Sequence, residues 1–124
     1  MNRIIRDFKL MSFADGQISS YQLESGVLTL HFLDWQERQV LIRWDGVLAL
    51  KDLGILGSDI LSTELGCNDP FLKEATKQHP DEDPKSYFCF QFYSAGSIEA
   101  DLKIVAQNFT AEIIVSESNP LNTD

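Results

Sequence analysis

Apolar residues recur at every second position through much of this chain, and short polar turns separate the runs. That period of two belongs to β-strands with one face packed and the other in water. From Val27 to Leu33, Leu28, Leu30 and Phe32 fall on one side, with Thr29 and His31 on the other. From Gln39 to Trp44, Val40, Ile42 and Trp44 alternate with Leu41 and Arg43. Phe109, Ala111, Ile113 and Val115 alternate with Thr110 and Glu112. Ser97 to Ala106 reads as one longer strand, with Ile98, Ala100, Leu102, Ile104 and Ala106 inward and Val105 interrupting the polar face. A chain patterned this way has to build sheets.

The turns say how the strands are joined. Ser25-Gly26 is a tight hairpin turn after a mixed strand, Ile18 to Glu24. Asp34-Trp35-Gln36-Glu37, Asp45-Gly46 and Gln107-Asn108 are further turn signals. Val47 to Leu53 is a fourth strand, followed by the apolar connection Gly54-Ile55-Leu56-Gly57. Asp59 to Leu65 is read as strand, with helix as its alternative. Arg3 to Met11 fits either, because Ile4, Ile5, Phe8 and Met11 fall roughly on one helical face. One helix is clearly marked. Asn68-Asp69 supplies caps and Pro70 suits a first turn, so a helix is expected from Pro70 to about Gln78. His79 to Pro84, with two prolines and three acids, ends it as a loop.

Short turns make antiparallel neighbours. The expected fold is therefore mainly β: an antiparallel sandwich or partly open barrel of about seven to eight strands with one short inserted helix. The alternative is an α+β sheet with helices on one face. Residues 1–115 are expected to form one globular domain, a usual size for a core without disulfides. Ser116 to Asp124 is expected to be a flexible polar tail.

Charge narrows the partners. Ten Lys and Arg stand against 19 Asp and Glu, a net charge of −9. That sign opposes binding to nucleic acid and to anionic membranes; it either simply keeps the protein in solution or suits a basic protein partner. Arg3, Arg6 and Lys9 sit with only Asp7 among the first nine residues, so the rest of the chain is more acidic still. This basic start is expected to pair with the acidic body or, less readily, with a second copy. No apolar h-region follows the N-terminal charges and no run reaches membrane-span length, so a cytoplasmic protein is expected.

The chain shows no catalytic or cofactor motif. There is no Gly-x-Ser-x-Gly elbow, P-loop or Rossmann fingerprint. Cys67 and Cys89 match no zinc spacing. His79, Asp81 and Asp83 lack the ligand number and glycine placement of a calcium loop. No enzyme, metal or cofactor is therefore expected.

What remains is binding surface. Trp35 sits in a turn that does not need it, so it either folds over the sheet edge or meets a partner. Asp81, Glu82 and Asp83 are either a solvated loop or a contact for a basic protein. The strand Tyr87 to Tyr93 is amphipathic on both faces. Its Tyr87, Cys89, Gln91 and Tyr93 face is either covered or lines a ligand cavity, with Tyr87, Gln91 and Tyr93 as the lining candidates. The leading expectation is a non-enzymatic acidic binding module that masks a basic protein, an inhibitor or immunity-type protein being one concrete version. A small-molecule carrier with an aromatic-lined cavity and a structural homo-oligomer are the alternatives.

Overall fold

The computed structural model describes residues 2–114. Two antiparallel sheets pack face to face. In chain order the strands are β1 (Arg3–Ile5), β2 (Gln17–Glu24), β3 (Val27–Leu33), β4 (Gln39–Asp45), β5 (Ala49–Asp52), β6 (Ile60–Gly66), β7 (Phe88–Ser94), β8 (Leu102–Ala106) and β9 (Asn108–Ile114). The helix α1 (Pro70–Lys77) lies between β6 and β7. The first sheet has the order β1-β9-β4-β3-β2 and the second β5-β8-β7-β6. The sandwich expectation holds, and the expected tail falls outside the described residues. The ambiguous N-terminus is neither one helix nor one strand: β1 is followed by a short 3-10 turn, Phe8–Leu10.

Ser25 and Gly26 both take positive φ, 52° and 77°, as the β2–β3 hairpin requires. Asp45-Gly46 and Gln107 do something different from the expected hairpin turns. At these points the chain leaves one sheet for the other. Asp45 pairs with Asn108 in the first sheet, and Ala49 pairs with Val105 in the second. Between these pairs the Gln107 amide donates to the Asp45 carbonyl (3.1 Å) and the Leu48 amide to the Val105 carbonyl (2.8 Å). These two bonds carry the pairing around the corner with a one-residue slip in register, and the Val47 amide turns aside to the Gly26 carbonyl (2.9 Å). Gly46 makes the bend possible: its φ is 65°, and a Cβ there would stand 2.3 Å from Gln107 Oε1.

A second seam joins the opposite edges. Gln17 of β2 bridges Asp59 beside β6. The Ile60 amide donates to Gly16 (2.9 Å), and the Asp15 amide to Ile60 (2.8 Å). Both edge strands are irregular here, at Ile18/Ser20 and Ile60/Ser62. Such bulges bend a strand and increase its twist. The two sheets are therefore pinned along both sides, which makes the sandwich a partly closed barrel.

The interior is aromatic. Phe8, Phe13, Phe32, Trp44, Phe90, Phe92 and Phe109 are all buried in one cluster. Many of the ring pairs meet edge to face, including Phe8–Phe92 at 5.7 Å and 87°. A smaller cluster lies outside the second sheet, where Leu72 and Ala75 of α1 cover Tyr87, Cys89 and Val105. Val105 interrupts the polar alternation because the helix covers that position. The long strand expected from Ser97 is shorter: Ile98 is fully exposed and β8 begins at Leu102. The Asp101 carboxylate accepts from the Ser94 amide (2.7 Å) and the Ser97 hydroxyl (3.0 Å), so this stretch is a tight loop.

Candidate functional site

The expected contacts fall at three separate places. Trp35 is at the β3–β4 turn, beside the Gln39 end of β4. The acidic loop follows α1 and leads into the start of β7, which pairs with Ala106 near the sheet-switching corner. β4 spans the distance between these two ends, so Trp35 and Asp81–Asp83 do not form one surface.

The Trp35 turn is built by Asp34. Its buried carboxylate accepts from the Gln36 amide (3.0 Å), the Arg38 amide (2.8 Å) and Arg38 Nε (2.8 Å). The Asp34 amide and the Arg38 carbonyl close the turn at 3.0 Å, and Glu37 takes a φ of 63°. An aspartate can support a turn this way because its short side chain reaches the amides that follow it. The result is that Trp35 projects, with 58 % of its surface exposed. The fold-over arrangement is not adopted. Leu33 and Leu10 are exposed at the same end, and Leu10 shares a hollow of ≈ 200 Å³ with Arg3, Asp34 and Arg38. Arg3, Arg6 and Lys9 form no ion pair among the described residues, so the expected pairing of the basic start with the acidic body does not occur.

The acidic loop serves the fold. Asp83 accepts from the Lys85 amide (3.0 Å) and caps the short 3-10 turn Pro84–Ser86. Glu82 accepts from the Tyr87 hydroxyl (2.6 Å). Asp81 is exposed.

The three cavity candidates separate. Tyr87 is buried beneath α1, in the smaller cluster. Gln91 and Tyr93 line an open polar pocket of ≈ 510 Å³ together with Glu64, Cys67, Asp69, Glu99 and Lys103. Tyr93 donates to Glu64 (3.0 Å), while burial and that bond push its phenol up. Asp69 caps α1 through the Phe71 amide (2.8 Å) and also faces Lys103 at 3.4 Å. Cys89 lies beneath the pocket, and burial, then the Asp69 charge, pushes its thiol up to about 12, well away from thiolate chemistry. The aromatic-lined cleft is on the other face of the same strand, where Phe8, Phe88, Phe90 and Phe109 border ≈ 560 Å³ with Arg6 at the rim. The sequence signal for it was the Phe88, Phe90, Phe92 alternation, which reads equally as core.

Two tyrosines lead to a pH prediction. Tyr21 donates to Asp52 (2.5 Å); that bond, then burial, raises its phenol to about 12. Burial, then the Glu82 bond, raises Tyr87 to about 12. The folded state holds both protons more tightly than the unfolded chain. Their stabilisation is full below the ordinary value of 10.0 and is lost as pH rises toward about 12. Urea midpoints measured across that window should fall, and less steeply in a Tyr21→Phe, Tyr87→Phe double variant. Equal slopes would show that other groups control the alkaline limb.

Among the described residues, no helix is long and apolar enough to cross a membrane. Comparison with family models, with curated proteins and with solved structures finds no match, so the site rests on its own geometry.

Proposed function

We propose that this chain is a non-catalytic protein-binding module that covers a basic protein, as an inhibitor or immunity protein does, with Trp35 as its anchor. The observation that carries this reading is the presentation of Trp35. A large aromatic is held in water on a turn fixed by the Asp34 carboxylate, so little ordering is required when a partner arrives. Tryptophan is enriched at the few positions that dominate interface energies. The exposed Leu10 and Leu33 extend the apolar contact. The charge of −9 acts at longer range, steering a basic partner before contact and weakening with salt.

The test is affinity capture on the immobilised protein at low and high salt, followed by a titration of whatever basic protein is retained. Trp35→Ala should weaken that partner by about 2–4 kcal/mol, as for other central anchors. Neutralising Asp81, Glu82 and Asp83 together should have a smaller effect, because two of the three already serve the fold. Undiminished affinity in Trp35→Ala would remove the anchor, and retention that ignores salt would remove the basic partner.

A further inference from the structure

The polar pocket outside the second sheet holds two hydrogen-bond donors that lack full partners. Gln91 of β7 and Lys103 of β8 are register partners, so their side chains stand side by side on the same face. The Lys103 side chain is only 17 % exposed. Its ammonium meets one carboxylate, Asp69, at 3.4 Å to each oxygen. Charge-assisted bonds of this kind normally close to about 2.7–2.9 Å. Gln91 is 5 % exposed. The Tyr93 hydroxyl, which donates to Glu64 at 3.0 Å, lies 3.4 Å from Gln91 Oε1, while Gln91 Nε2 has no acceptor among the described residues and reaches the open pocket. Gly66 keeps this amide uncovered: it lies along the neighbouring strand, and even a Cβ there would stand 3.7 Å from Nε2.

These donors call for a ligand oxygen. The rest of the lining calls for the opposite. Glu64 and Glu99 border the same space and, with Asp69, outnumber Lys103 three to one. A free anion would meet three carboxylates, and a free cation would leave Gln91 and Lys103 as they are. A small molecule that carries both charges satisfies both sets. We propose that this pocket binds a free α-amino acid, its carboxylate on Lys103 Nζ and Gln91 Nε2 and its ammonium on Glu64. Tyr93 is the positioning residue: its hydroxyl touches both Glu64 and Gln91 and fixes their spacing. This site is independent of Trp35.

The test is NMR on the full chain labelled with ¹⁵N. The standard α-amino acids are added one at a time to about 10 mM, where weak binding is still visible. At least one should move the Gln91 side-chain amide saturably, with acetate alone and methylammonium alone binding about tenfold more weakly, as expected when each lacks one of the two ion contacts. Glu64→Gln, an exposed change that leaves the fold intact, should lower the affinity about tenfold or more, and Lys103→Met likewise. Trp35→Ala should bind as wild type. If no amino acid moves the amide, or acetate binds as well as the best of them, or Glu64→Gln has no effect, the assignment fails.

Discussion

Phe8→Ala should lower the unfolding free energy by about 3–5 kcal/mol, the cost of truncating a phenylalanine in a packed core. Phe8 lies on a short 3-10 turn near the start of the chain, where substitutions are usually tolerated. Its ring, however, contacts Phe13 at 5.1 Å, Phe90 at 5.0 Å, Phe92 at 5.7 Å and Phe109 at 5.2 Å. Three of the four contacts are edge to face, the arrangement that adds to simple burial. Asp7 holds the turn that delivers it, its carboxylate accepting from the Lys9 amide at 3.0 Å. For a domain of ordinary stability this loss is a large fraction of the total. Phe88→Ala is the control: Phe88 is partly exposed, touches Phe90 at 6.4 Å, and should cost about 1 kcal/mol or less. Urea unfolding of the two variants decides the matter. Equal losses would mean that the N-terminal turn is not part of the core.

Gly16→Ala should also destabilise the fold, through crowding. A Cβ at Gly16 would stand 2.2 Å from Phe32 Cζ and 2.7 Å from the Leu33 carbonyl oxygen. The ring is packed in the aromatic core and the carbonyl belongs to β3, so neither yields cheaply. Overpacking typically costs about 1–3 kcal/mol. The damage should be localised as well, because Gly16 accepts from the Ile60 amide and so forms half of the seam between β2 and β6. Hydrogen exchange at Ile60 and Asp15 should quicken more than exchange at Leu48, which belongs to the opposite corner. Uniform quickening would indicate global destabilisation without selective loss of the seam.

Much of this fold was legible because alternation and turn chemistry are local. Leu28, Leu30 and Phe32 announced β3, Ser25-Gly26 its hairpin, and Asp69-Pro70 the start of α1. What was not legible depends on distant contacts. The residues Asp45-Gly46 can turn a chain back on itself or pass it to a second sheet. Only the alignment of Gln107 across the corner decides between these, and that alignment spans about half the chain. Ile98 kept the period of its neighbours, but Asp101 draws Ser94 and Ser97 into a loop and leaves Ile98 in water. The candidate site shows the same division. Trp35 was identifiable as a residue its turn did not need, whereas its exposure depends on how the Asp34 carboxylate is spent. Gln91 and Tyr93 were identifiable as one face of a strand. Glu64, Asp69 and Lys103 were not, because they reach the pocket from β6, from the cap of α1 and from β8.

The place of β9 has a consequence for how the protein is made. Among the described residues it follows the other eight strands, yet it lies between β1 and β4 in the first sheet. During translation, β1 leaves the ribosome with no strand to pair with, and β4 leaves with one edge bare. Both wait until residues 108–114 have emerged. Unpaired edges of this kind are templates for association with other chains. A chain halted before Asn108 would therefore leave β1 without its partner and β4 with a bare edge, exposed to chaperones and to its neighbours alike.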